Sequence, residues 1–327
     1  LFTQFTNKWN TGPLTLPQKS AIITVSNNLI KKRARIFPHF YNYMKYILSV
    51  LNSERIASQF NTWHGVFEKY TQSKSFNTSE LNKLFEKLMM LNDSSALFES
   101  RAVLWKYTNN NYRLEYDLKG EVRIYFSNTD LECFSKRDSS LLIGTNGYYY
   151  PLKDMWFGEN GTVTWERAGF SKDSVFAKLN NYRINLTRPE FIADSAEFIN
   201  KGYLNQPLVG RFEEKILANA RGEKASYPRF TSYDKQVDIK HVVPDVDYSG
   251  GFEMRGSKFF GYGDAENKAE LFFYKGNDVF TRAKSITFVF DENSIRATNV
   301  AVQIILEEDT LWHPGLSFNY LIKNKRI

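Results

Sequence analysis

One cysteine, Cys133, in 327 residues excludes an internal disulfide framework and a cysteine-built zinc site. Its flanks, Leu131-Glu132-Cys133-Phe134, read as strand, so the thiol is expected to be a small apolar side chain in a sheet. Nine prolines and 18 glycines are too few for a collagen-like or low-complexity chain. No run approaches the roughly 18 uninterrupted apolar residues of a membrane-spanning helix. No signal peptide is visible, and the chain starts at Leu1 without an initiator methionine, which reads as a mature or excised form. Phosphate-binding glycine loop, nucleophile elbow and His-Glu-x-x-His motif are all missing. No catalytic residue, metal ligand or cofactor is therefore assigned.

What is present is ordinary in bulk and unusual in two respects. Hydrophobic residues make up 42% and charged residues 24%, as in a globular chain with a sizeable core. Aromatic content is high at 16%, with 27 Phe and 19 Tyr, which favours strands and recognition surfaces. The net charge of +7 is unevenly spread. Residues 1–100 hold 12 Lys and Arg against 6 Asp and Glu, so they carry +6 of it. The densest point is Lys31-Lys32-Arg33-Ala34-Arg35. Lys31, Lys32, Arg33 and Arg35 are candidates for contact with an anionic partner, a membrane surface or a polyanionic glycan. Nucleic acid is not expected, since four cations make a small footprint and no nucleic-acid motif accompanies them.

Up to about residue 100 the apolar spacing is helical. After Pro17, which suits a first helical turn, Ile22, Val25, Leu29 and Ile36 follow at three-, four- and seven-residue steps. Pro38 ends that run, and Phe40, Tyr43, Met44, Ile47, Leu48 and Leu51 form a second stripe. Trp63, Val66, Phe67 and Tyr70 form a third. A fourth is Leu81, Leu84, Phe85, Leu88 and Met89, opened by Asn77 as cap with Glu80 completing a box. Short polar loops imply antiparallel packing, hence a small bundle of four or five helices.

From Arg101 the period becomes two. Val103, Trp105, Tyr107; Tyr112, Leu114, Tyr116; and Val122, Ile124, Phe126 alternate with polar positions. Short strands then recur: Ser140–Ile143 and Gly147–Tyr150 parted by glycine turns, Val175–Leu179, Tyr182–Thr187, and a further series from Gly250-Gly251 onward. Connections are too short for parallel crossovers. The fold class expected is α then β: a small N-terminal helical bundle over residues 1–100, followed over 101–327 by an antiparallel β meander, stacked-hairpin solenoid or sandwich. Residues 205–250 are punctuated by proline and glycine and read as a linker, an edge, or the point where one sheet hands over to the next and the β region would divide. Ala193-Asp194-Ser195-Ala196-Glu197-Phe198 returns as Ala283-Lys284-Ser285-Ile286-Thr287-Phe288 and reads as a spacing element of stacked sheet, with Asp194 facing outward.

Four aromatics, Tyr148, Tyr150, Trp156 and Trp165, are candidates for ligand binding, because aromatic platforms recognise sugars and lipids. Glu213-Glu214 and Glu307-Glu308-Asp309 read as solvated strand edges rather than an acid pair, since strand neighbours point to opposite faces. His39 and His64 read as half-buried rings, and His313, before Pro314-Gly315, as a turn residue.

Asp130 to Ser139, Gly161-Thr162-Val163-Thr164-Trp165-Glu166-Arg167-Ala168-Gly169, Ala193-Asp194-Ser195, Phe60-Asn61-Thr62-Trp63-His64 and Trp312-His313-Pro314-Gly315 resemble stretches of a family of very large exported proteins of Gram-negative anaerobes. The resemblance runs over most of the chain. It implies export to the periplasm or outer membrane after removal of an export signal, and that these residues are the first part of a longer protein, to which the ending Lys323–Ile327 conforms. It carries no catalytic residue. The Ala-Asp-Ser strand pattern also resembles lipopolysaccharide-transport β-jellyroll repeats. The function expected is a non-enzymatic envelope binding or structural protein in a larger assembly, with other envelope proteins, lipid or glycan as partners. The alternatives are a lipid- or lipopolysaccharide-carrying β groove and a carbohydrate-active enzyme.

Overall fold

The computed structural model describes residues 1–12, 14–52, 59–74, 76–217 and 221–327. Helices come first and a large antiparallel β region follows. The chain divides into two compact units, one of Leu1–Asn160 with Arg183–Pro189, the other of Gly161–Tyr182 with Glu190–Ile327.

In the first unit, α1 (Phe2–Thr11), α2 (Leu16–Lys31), α3 (Tyr41–Leu51), α4 (Phe60–Gln72) and α5 (Thr78–Ser94) precede β1 (Ala96–Glu99). Local chemistry sets their starts. Thr15 and Gln18 form a reciprocal capping box at α2, with Pro17 in the first turn. At α5, Asn77 accepts from the Ser79 N–H, but Glu80 does not complete a box. Its carboxylate accepts from the Tyr70 hydroxyl instead (3.1 Å), tying α4 to α5. The bundle core is aromatic: Tyr46 stacks on Phe85 and Trp63 and meets Phe67 edge-on. His64 lies within it, wholly buried rather than half-buried.

The helices do not stand apart from the strands at residue 100. Tyr107 donates to the Leu91 carbonyl (2.8 Å), Tyr149 to that of Leu97 (2.6 Å), and Trp63 packs on Tyr112. Lys83 and Lys87 of α5 both pair with Asp154 (3.0 and 2.5 Å). Large aromatics of the first strands thus complete the core that the helices begin.

The strands of this unit include β2 (Leu104–Tyr107), β3 (Tyr112–Tyr116), β4 (Val122–Ser135) and β5 (Asp138–Tyr150), with β6 (Met155–Thr164) and β7 (Val175–Asn185) following. β4 pairs with β3 through Val122–Phe126 and with β2 through Leu131–Phe134, so it carries two partners along one edge. It bends between them at Asn128, which is left-handed (φ 49°), a conformation asparagine tolerates better than most residues. β5 follows both halves with a register shift at the bend. Gly144 and Gly147 therefore lie inside one long strand, not in turns. What sustains the bend is a row of side-chain amides. Asn109 donates to the Asn128 carbonyl (2.8 Å), Asn146 accepts from the Asn128 N–H (2.7 Å), and Asn160 accepts from the Asn146 N–H (2.6 Å). Asparagine here supplies the main-chain partners that a regular ladder would have supplied. Asn146→Ala is expected to destabilise the protein by about 1 kcal/mol in urea denaturation, since water reaches the exposed Asn128 N–H.

The second unit repeats the device. Its strands are β8 (Glu190–Asn200), β9 (Leu208–Lys215), β10 (Arg229–Ser232), β11 (Val237–Val243), β12 (Val246–Arg255), β13 (Lys258–Tyr262), β14 (Ala269–Lys275), β15 (Asp278–Ser285), β16 (Thr287–Phe290), β17 (Ser294–Ile305) and β18 (Thr310–Leu321). Residues 205–250 thus contribute β9, β10, β11 and the start of β12. β12 pairs with β11 and β14 before Gly250-Gly251, and with β10 and β13 after it. A Cβ on Gly251 would lie 2.5 Å from the Tyr262 ring, so the crossing requires glycine. β17 bends at Asn299 (φ 55°), pairing with β16 on one side of the bend and β15 on the other. Both Ala-x-Ser-x-x-Phe copies mark such places. Ala193 and Ala196 flank a bulge in β8, and Ser285 ends β15 with its hydroxyl on the Thr287 and Thr298 carbonyls. Ala193, Ala283, Phe198 and Phe288 are fully buried, while Asp194 and Lys284 face solvent.

Candidate functional site

The C-terminal end of α2 is built as an exposed tip. Ile22, Val25 and Leu29 are buried and hold the helix to the bundle. Arg33 adopts a left-handed conformation (φ 57°) and the Ala34 N–H bonds back to the Leu29 carbonyl (2.9 Å), which ends the helix in a tight turn. Arg35 N–H donates to His39 Nδ1 (3.0 Å), closing the next turn. Lys31, Lys32, Arg33 and Arg35 are all exposed as a result. Lys32 is drawn back, its ammonium donating to the Ser73 carbonyl (3.3 Å) and lying 5.7 Å from the Phe76 ring centre.

Apolar side chains share this tip. Ile36 does not continue the buried stripe of α2; beyond the helix end it is 71% exposed, as is Phe37. Ile30 is exposed too, and with Leu16 and Ile23 it forms a solvent-facing line along α2 at seven-residue spacing. Up to Ser53 the chain carries seven Lys and Arg and no Asp or Glu; the first acid is Glu54. The heptad spacing and the missing acids were open to sequence reading, but the spacing alone does not say which face is buried.

Beside the tip, α1, α2 and α3 enclose an open apolar groove of about 410 Å³, floored by Ile22, Tyr43, Met44 and Ile47 and walled by Phe5 and Trp9 of α1. α1 has no fully buried side chain, and Phe5 and Trp9 are half-buried.

The four aromatic candidates do not form one surface. Tyr148 and Tyr150 alternate outward on β5, half-buried, whereas Trp156 and Trp165 are fully buried and are core residues. Trp156 packs on Phe126 in the first unit; Trp165 packs on Phe198 and Phe212 in the second. The outward tyrosines are covered by cations. Arg123 lies over Tyr148 (4.0 Å), Arg113 over the neighbouring Tyr125 (4.5 Å), and Glu115 pairs with both arginines. Tyr150 lines a polar cleft of about 300 Å³ with Glu80 and Glu121, but Glu80 is held by Tyr70 and Glu121 by Lys153 (2.6 Å).

The acidic runs behave differently from one another. Glu307-Glu308-Asp309 lies at the exposed hairpin end between β17 and β18. Glu214 is not solvated: it is buried and paired with Arg167 at 2.5 Å, while Glu213 meets Arg211 at 3.1 Å. His313 is within β18 beside a bulge, not in a turn after a strand. Cys133 is buried in β4. Among the described residues no group of three or more His, Cys, Asp or Glu is placed to hold a metal ion, and no helix is long and apolar enough to cross a membrane.

In the second unit a run of exposed apolar side chains lies on one hairpin. Ile304, Leu306, Leu311, Trp312 and Leu316 of the β17–β18 hairpin are open to solvent. The same two strands contribute Ala297 and Phe318 to an open cavity of about 630 Å³. Comparison with protein families, with curated proteins and with solved structures returns no match to this chain.

Proposed function

We propose that the chain is a non-enzymatic binding protein of the cell envelope, working within a larger assembly, and that its helical segment engages an anionic lipid surface. The observation that carries this reading is the tip of α2, where four exposed cations stand with exposed Ile30, Ile36 and Phe37 in a stretch without acids. A polyanionic glycan would meet the cations and could stack on Phe37, but would gain nothing from Ile30 and Ile36. A bilayer interface takes both, phosphates pairing with the cations while the apolar groups enter the acyl boundary. Envelope location follows from the resemblance described above and agrees with this choice of partner.

Each cation near an anionic surface contributes about 1 kcal/mol, and less as salt rises. The double variant Lys31→Gln, Arg33→Gln is therefore expected to bind vesicles of mixed phosphatidylcholine and phosphatidylglycerol about 30-fold more weakly. Flotation on such vesicles measures it. Equal flotation of wild type on pure phosphatidylcholine, or no flotation on either, would sink the reading.

One observation favours a second reading, lipid carriage by the β region: the exposed apolar hairpin of β17 and β18 beside its open cavity. On that reading Trp312→Asp abolishes uptake of a fluorescent phospholipid; uptake that this variant leaves unchanged excludes it.

A further inference from the structure

We propose that the groove between α1, α2 and α3 accepts one acyl chain of an anionic lipid; the choice of an anionic lipid rests on the surface reading above, the acyl chain on the groove itself. Among the described residues its lining carries no charged side chain and is dominated by Phe5, Trp9, Ile22, Ile23, Met44 and Ile47. At about 410 Å³ it lies within the usual range for small-ligand sites, roughly 300–1,000 Å³. α1 is the telling element. Its Phe5 and Trp9 rings stack against each other at 6.1 Å and face the groove, yet both remain only half-buried. An apolar occupant would bury that wall, and burial of methylenes is the driving force for lipid chains.

A peptide strand fits less well. It would bring main-chain amides into a space whose polar groups are few, Thr6, Ser26 and Asn27, and leave them without partners. The mouth suits an anionic headgroup. Lys19 sits 5.5 Å from the Trp9 ring centre, Lys8 lies on α1, and no acid occurs before Glu54. Ile23 belongs both to the groove and to the exposed line of α2 that ends at the basic tip, so a chain entering from the bilayer stays in contact with the protein throughout.

The test uses the full chain after removal of bound lipid, titrated with palmitate by calorimetry, with stoichiometry from native mass spectrometry. One palmitate per chain at micromolar affinity is expected. Ser26→Trp fills the groove from its rim without removing a core side chain and should weaken palmitate binding about tenfold or more, with Thr6→Trp as an independent second filling. Both variants should keep the wild-type circular dichroism spectrum and still float on phosphatidylglycerol vesicles, while Lys31→Gln, Arg33→Gln should lose flotation and keep palmitate. No palmitate uptake by wild type, uptake insensitive to both groove fillings, or dimerisation through α1 in place of uptake would overturn the proposal. Palmitate uptake without flotation overturns the surface reading and upholds the groove.

Discussion

Arg167→Ala is expected to lower the unfolding free energy by roughly 3–5 kcal/mol. Arg167 follows Trp165 in a short turn and sends its guanidinium to Glu214 on β9, whose side chain is fully enclosed. Glu214 also accepts from the Lys215 N–H (2.9 Å), and Arg167 reaches the Lys215 carbonyl. Deleting the guanidinium removes the counter-charge from an enclosed carboxylate. The pair as a whole contributes far less, because desolvating both ions offsets most of their attraction. Arg167→Met with Glu214→Leu should therefore recover most of the loss. Urea midpoints of the single and double variants decide this: a double variant as weak as Arg167→Ala would mean that the pair is needed for more than charge balance.

The second large effect is a dependence on pH centred on His64. Its Nδ1 lies 3.0 Å from the Phe60 carbonyl, which can only accept, so Nδ1 carries the proton. Nε2, 3.1 Å from the Tyr43 hydroxyl, is then the acceptor, and the ring is neutral. Burial pushes its pKa down from 6.5 to about 4, with the Phe60 hydrogen bond partly opposing. In the unfolded chain the ring protonates near 6.5, so the unfolded state binds the proton first as pH falls. Stability is full above that value and is lost between 6.5 and about 4, by roughly 3 kcal/mol. Asp247 and Asp291 act in a lower window. Burial works against their ionisation, but hydrogen bonds outweigh it: from Lys240, the His241 N–H and Tyr274 at Asp247, and from Ser294, the Asn293 N–H and Arg296 at Asp291. Their contribution is present above the ordinary carboxylate value of 3.8 and is lost only as pH falls through their lowered values. His64→Gln should therefore flatten the stability profile between pH 6.5 and 4 while leaving the fall below it. An unchanged slope in that range would mean that His64 is not the group responsible.

Periodicity made the division into helices and antiparallel strands legible, because helix stripes such as Leu81 to Met89 and alternations such as Val122 to Phe126 each fit one period only. The long bent strands were not legible. Gly144, Gly250-Gly251 and the asparagines at 128, 181 and 299 have the chemistry of turns, yet each lies within a strand, and the amide bonds that sustain the bend at Asn128 come from residues 19 and 18 positions away. Glu214 looked solvated because nothing in its neighbourhood announces Arg167, 47 positions away. Among the aromatics, alternation separates Tyr148 and Tyr150 from buried Tyr149, but assigning Trp156 and Trp165 to the core requires knowing which sheet face is covered. The basic tip was legible as charge. Its apolar half was not, since Ile36 fits the helical stripe that it leaves once Arg33 ends α2.

The lipid-surface reading is tested most directly by a probe at that residue. The native thiol, Cys133, is buried, so Ile36→Cys can be labelled selectively with an environment-sensitive nitrobenzoxadiazole dye. Leu118→Cys, in the exposed turn between β3 and β4, serves as the reference position. On phosphatidylglycerol-containing vesicles the dye at position 36 should shift to the blue and brighten, the dye at 118 should not, and neither should respond to pure phosphatidylcholine. No response at position 36, or an equal response at both positions, would contradict the account.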